Sequence, residues 1–176
     1  VEVQGHLIAS RMIGNTAVLV TSHYPRLQVE LLQTQQERDA ALNNLTATEI
    51  LPSVRINGGA PQPLVTETQC FTQLANSSNN ITITTITAID LAAPGFSQSS
   101  RCFLGGTEAV YVAPNNVYLS TSRYPQIKFD PQQARWIYPD VNEFRTDIHK
   151  FAINGNAINY RASGDVADLL FHVLLE

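Results

Sequence analysis

The sequence predicts an all-β chain of two consecutive four-stranded antiparallel units, with a helical insert inside the first. Three observations carry this. Residues 15–25 read NTAVLVTSHYP and residues 115–125 read NNVYLSTSRYP, with Asn15/Asn115, Leu19/Leu119, Thr21/Thr121, Ser22/Ser122, Tyr24/Tyr124 and Pro25/Pro125 identical. Six identities in eleven positions at a constant offset of 100, each copy ending in Tyr-Pro, mark an internal repeat. Residues 81–91 read ITITTITAIDL, β-branched at nearly every position, which suits a buried strand. Turn signals at Gly14-Asn15, Pro114-Asn115-Asn116 and Asn154-Gly155-Asn156 each separate two strand-like runs, as hairpins require.

Taken in order, Val1 to Val3 reads as the tail of a preceding strand. Strands A and B of the first unit are expected near 6–13 and 16–23. After Pro25 the run QVELLQTQQERDAALNNL is rich in good helix formers and predicts one or two short surface helices, Thr34 capping the second. The stretch 56–63 reads as a loop, and Cys70 falls in a second irregular stretch ending at NSSNN (76–80). Strands C and D follow near 82–91 and 97–104, turned by Ala92-Ala93-Pro94-Gly95. The second unit repeats the pattern near 108–113, 117–123, 146–153 and 157–163, with a shorter connection, 124–145, carrying Trp136 and Tyr138. Strands C align at an offset of 62 (Ile86/Ile148, Ile89/Phe151, Leu91/Ile153), so the first B–C loop is 38 residues longer than the second. Four antiparallel strands with apolar residues on both faces describe a propeller-type blade, each face packing on a neighbour. The organisation is then a first blade at 1–106 with its insert at about 25–80, a second at 107–165, and a C-terminal segment at 166–176. Leu175-Glu176 reads equally as native sequence or as a cloning remnant.

Composition narrows the function classes. A net charge of −4, a pI near 5.5 and no basic run argue against nucleic-acid or anionic-membrane partners. No apolar run is long enough to span a bilayer. The Asn44, Asn76 and Asn80 sequons matter only in a host that glycosylates. Cys70 and Cys102 are compatible with one disulfide and equally with two buried free thiols.

The segments SRMIGNTAVLVTSHYP, LPSVRINGG, TAIDL, SRCFLGGTEAVYVAPNNVYLSTSRYP and TDIHKFAINGNAINYRASGDV resemble secreted bacterial and archaeal proteins with a C-terminal β-propeller domain, distantly related to WD-repeat proteins. The resemblance covers most of the chain. It implies a secreted, periplasmic or cell-surface location and an oxidising setting in which Cys70 and Cys102 would pair. Strand D is the outer edge of a blade, so an insert folding back over it would bring the two cysteines together. Such domains continue into further blades after Gly164-Asp165, whereas this chain ends at LLFHVLLE, so a two-blade piece of a larger propeller is expected. Bare terminal faces on such a piece predict a homo-oligomer.

No phosphate loop, zinc spacing or nucleophile elbow is present, so no cofactor, metal or catalytic residue is assigned. Asp147 and His149 share one face of a strand and could join a hydrolytic group or simply hydrogen-bond between blades. Asp140-Val141-Asn142-Glu143 has alternating oxygens but lacks the further ligands of a calcium loop. His23-Tyr24 and Arg123-Tyr124 each open a B–C loop and should share one rim, where an aromatic beside a cation could grip a ligand. The structural alternative is that Tyr packs each strand's exit and Pro ends it. The leading reading is a non-enzymatic binding or scaffold module for an unknown protein or small molecule. The other is part of an enzyme whose site needs residues from further blades.

Overall fold

In the computed structural model the described residues are 1–27, 31–72, 82–95, 97–123, 125, 127–138, 140 and 143–167. Among the described residues, fourteen strands and two α-helices follow in chain order, with a 3-10 turn at Glu67–Gln69. They are β1 (Glu2–Val3), β2 (His6–Ile13), β3 (Thr16–His23), α1 (Gln35–Asn43), α2 (Ala47–Ile50), β4 (Ser53–Arg55), β5 (Gln62–Pro63), β6 (Cys70–Thr72), β7 (Ile83–Asp90) and β8 (Gln98–Leu104). The rest are β9 (Ala109–Ala113), β10 (Asn116–Arg123), β11 (Lys128–Asp130), β12 (Arg135–Ile137), β13 (Arg145–Asn154) and β14 (Ala157–Ala167).

All eight blade strands fall where the repeat puts them. The first sheet has the order β2-β3-β7-β8-β6 and the second β14-β13-β10-β9, both antiparallel meanders apart from the added β6. Leu19 faces Thr87 across β3/β7, and Leu119 faces His149 across β10/β13, so the offsets of 100 and 62 hold down to the register of pairing. The D strands keep the 62 offset only near the C–D turn. A bulge between Lys150 and Phe151 admits one extra residue in β14, and the equivalence then slips by one.

The two sheets stack face to face. Val18, Val20, Ile86, Ala88 and Phe103 of the first interdigitate with Val112, Val117, Leu119, Phe151, Ile153 and Ile158 of the second. Buried aliphatic and aromatic side chains of this kind contribute roughly 1.5–3 kcal/mol each, so the seam is the main source of cohesion. The face buried in the second sheet (Val117, Leu119) is the repeat equivalent of Ala17 and Leu19, which lie on the outer face of the first and are only half-buried. Stacking is therefore head to tail. At one end Arg11 donates to the Val112 carbonyl, and the Ser99 hydroxyl donates to the Asn156 carbonyl. The A–B and C–D turns of both sheets thus share one rim, and both B–C connections leave from the other.

The insert is more ordered than its sequence suggests. Thr34 caps α1 through a reciprocal box, Glu37 N–H donating to Thr34 Oγ1 (3.2 Å) and Thr34 N–H to Glu37 Oε2 (3.0 Å). Thr34 therefore caps the first described helix. The second, α2, lies beyond the expected helical run; residues 28–30 are outside the described set. Part of the stretch read as a loop, Gln62–Pro63, pairs with β4, and β1 pairs with β4 on its other side, so Glu2–Val3 belongs to the insert's small sheet. The irregular stretch at Cys70 is β6, which runs parallel to β8 with Cys70 opposite Cys102. The second connection holds the β11/β12 hairpin, with Phe129 against Trp136 at 5.0 Å between ring centres. The run 76–80, with Asn76 and Asn80, lies outside the described residues, and Asn44 is the C-cap of α1.

Candidate functional site

The B–C rim of the first sheet carries a cleft of about 440 Å³. β3 delivers His23 and Tyr24 to it, the start of β2 supplies His6, and the insert closes it with Thr48, Glu49 and Leu51. Gly5 makes the floor possible. Its φ is +129°, and a Cβ there would sit 2.9 Å from the Ser22 carbonyl oxygen, so only glycine passes this close. The far wall is held in place by the Cys70–Cys102 disulfide, whose Cα atoms are 4.3 Å apart, and by a small core of Val65, Ile83 and Cys102 against Ile50 and Leu51.

Within the cleft the polar groups divide into committed and free. His23 is buried and bonds to the backbone of Ile50; burial outweighs that bond and lowers its pKa, so it is neutral at physiological pH. The cation expected beside Tyr24 is therefore not His23 but Arg26, which is exposed on the same wall. Glu49 Oε2 accepts from Thr46 N–H (2.8 Å) and the Thr46 hydroxyl (2.7 Å), which lowers the carboxyl pKa and orients the group toward α2. Tyr24 is 60% exposed at the mouth.

The second B–C exit differs. Arg123 forms a bidentate ion pair with the fully buried Asp147, through Nε to Oδ2 at 3.2 Å and through its terminal nitrogen to Oδ1. This pairing raises the guanidinium pKa further and occupies the charge that would otherwise face a ligand. Tyr124 lies outside the described residues.

Asp147 and His149 do not bond to each other in any described contact. His149 is fully buried between the sheets, its ring 4.0 Å from that of Phe103. Its Nε2 is 3.1 Å from Thr121 Oγ1, and its Nδ1 meets Ser163 Oγ, which also accepts from the Tyr160 hydroxyl at 2.9 Å. With the Thr121 hydroxyl at one ring nitrogen and the Ser163 hydroxyl at the other, both nitrogens of the neutral imidazole have a partner. Desolvation pushes its pKa down to about 4, Asp147 opposing only in part. With its carboxylate neighbour bound to Arg123 and an aromatic ring over the imidazole, this is a hydrogen-bond chain across β10, β13 and β14 of the second sheet, without the geometry of a hydrolytic triad. Glu143 accepts from the Asp140 amide at 3.2 Å, Asn142 is outside the described residues, and no cluster of three metal-ligating side chains occurs among the described residues.

Sequence reasoning named His23 and Tyr24 but not His6, Arg26 and Glu49, which line the same cleft. The pairing of His6 with Ser22 follows from the A–B hairpin once its register is known. Glu49 stands three residues after Thr46, a capping-box spacing that was readable and would have placed α2. A family model described as "Beta propeller domain" matches residues 1–171. No curated protein and no solved structure gives a significant match.

Proposed function

Because this chain belongs to the β-propeller domain family, we propose that it is a non-enzymatic, secreted or cell-envelope module that binds a protein or small-molecule ligand at the rim from which the B–C connections leave. The observation that carries this reading is the cleft of about 440 Å³ built where the repeat delivers His23 and Tyr24 and walled by a tethered insert. Binding residues on loops held by a rigid scaffold are the usual division of labour. The disulfide supports an extracytoplasmic location, because such bonds persist in oxidising compartments.

The test is a ligand screen by thermal shift, followed by mapping of hits by NMR. Hits should perturb the rings of His6, His23 and Tyr24. Tyr24→Ala should weaken them about three- to tenfold, the range of one aromatic contact, with the melting temperature unchanged because the ring is largely exposed. Ligands mapping only to the His149 chain or to the opposite rim would sink the proposal, and turnover of any hit would favour the enzymatic alternative.

We also propose that the two outer sheet faces are covered by further units, supplied by a longer chain or by other copies. Head-to-tail stacking leaves two unlike faces, one with Ala17, Leu19 and Thr85, the other with Tyr118, Ile148 and Lys150, and the same operation would join them again. For the chain alone, sedimentation should show mass increasing with concentration, and Ile148→Glu should return it to monomer. A wild-type monomer at high concentration counts against the idea.

A further inference from the structure

The free and committed groups of the cleft differ in kind, and that difference points to a ligand class. Among the described residues, Arg26, His6 and Tyr24 make no side-chain hydrogen bond or ion pair, and all three face the cleft. Gln4 uses its Oε1 to accept from Ser53 N–H (3.0 Å) and the Ser53 hydroxyl (2.9 Å), which leaves its Nε2 to donate. The one carboxylate on the wall, Glu49, gives its Oε2 to Thr46 and keeps Oε1 without a hydrogen bond among the described residues, and His23 is tied to the backbone of Ile50. Arg26, Gln4 Nε2, His6 and Tyr24 can therefore all donate to a ligand, with a guanidinium among them, while one of the two Glu49 oxygens is turned into the capping of α2. A guanidinium matches two oxygens of a carboxylate or phosphate in a single plane, and neutral donors beside it complete the recognition.

We infer that the cleft binds an oxyanion-bearing small ligand, a carboxylate or a phosphate, with Arg26 as counter-ion and His6, Tyr24 and Gln4 as donors. This rests on the cleft being the binding site proposed above. The −4 net charge of the chain does not oppose it, because within about 8 Å at physiological ionic strength the local groups dominate. Arg123, the repeat equivalent of His23, pairs with Asp147, and position 126, the repeat equivalent of Arg26, is a glutamine in the sequence.

The experiment titrates the whole chain with succinate, inorganic phosphate, glucose and putrescine, reading the imidazole NMR signals of its four histidines. The expected result is a saturable shift of His6, with His149 still, on adding succinate or phosphate. The stronger of the two identifies the oxyanion. Arg26→Ala should weaken that binding about tenfold, Arg26→Lys should restore part of it, and Glu49→Gln, which preserves the capping box, should leave it equal or tighter. Shifts of His6 with glucose or putrescine alone would keep the cleft as the binding site and overturn the oxyanion assignment. Binding lost in Glu49→Gln and kept in Arg26→Ala would overturn it too, as would the absence of any shift with all four probes.

Discussion

Breaking the Cys70–Cys102 bond will lower the unfolding free energy by roughly 3–4 kcal/mol, the chain-entropy value for a loop of about 30 residues. The bond spans 32 positions. It fastens β6, a strand of three residues held parallel to β8, and so short a strand would be marginal by itself. The next residue extends the consequence. Phe71 stacks on Tyr160 at 4.8 Å and meets Phe151 edge-on at 6.0 Å, so β6 also seals the outer end of the seam between the sheets. Without the bond the edge of β8 is bared as well, an invitation to stray strand pairing. Urea denaturation with and without reductant measures the effect, with Cys70→Ala as the genetic counterpart. Cys102→Ala is a poorer choice, since Cys102 is fully buried and its truncation adds a cavity. An unchanged midpoint after complete reduction, with two thiols counted, would show that the bond constrains nothing.

Acidification from pH 6.5 to 4 will remove about 3 kcal/mol through His149 alone. Its pKa is about 4 in the folded chain against an ordinary 6.5. Between those values the unfolded chain binds a proton that the folded chain refuses, so stability is complete above the unfolded value and is lost as pH falls toward the folded one. The gap of about 2.5 pH units, at 1.36 kcal/mol each, gives the magnitude. His23, lowered for the same reason, acts with the same sign. The check is the slope of unfolding free energy against pH in wild type and His149→Gln. Carboxylate titrations are common to both, so the wild-type slope should be the steeper by about 1.4 kcal/mol per pH unit midway through the window. Equal slopes would mean that the imidazole is not held neutral by burial.

These two groups also show what could be read from the sequence and what could not. The blade strands and the register of the B–C pairs were legible because a repeat of NTAVLVTSHYP type fixes both offset and face, whereas the one-residue bulges in the A–B and C–D pairs left no mark on it. The cysteine pairing was left open by the residues and rested on the oxidising setting that the family resemblance implies, with an edge strand beside a long insert to permit it. The insert's own architecture was not legible. β1, β4, β5 and β6 are two or three residues long, too short for any period to register, and β1 and β6 pair with strands about 30 to 50 positions away. The burial of His23 was not legible for a related reason: a histidine at a strand exit reads as a solvated group, and only the approach of Ile50 from the insert buries it. Asp147 and His149 were correctly placed on one face. Their separate partners, Arg123 on one side and Thr121 with Ser163 on the other, depend on register across three strands.

The unequal B–C connections have a consequence in time as well as in space. Val20 must find Ile86, whereas its counterpart Ser120 need only find Ile148, less than half as far along the chain. Each doubling of a loop adds about 0.6 kcal/mol to the entropy of closing it, close to a threefold difference in rate. The half of the chain that is synthesised second therefore completes its central hairpin pair sooner. Its exposed row of Val117, Leu119 and Phe151 is then a finished template on which the slower N-terminal strands can condense.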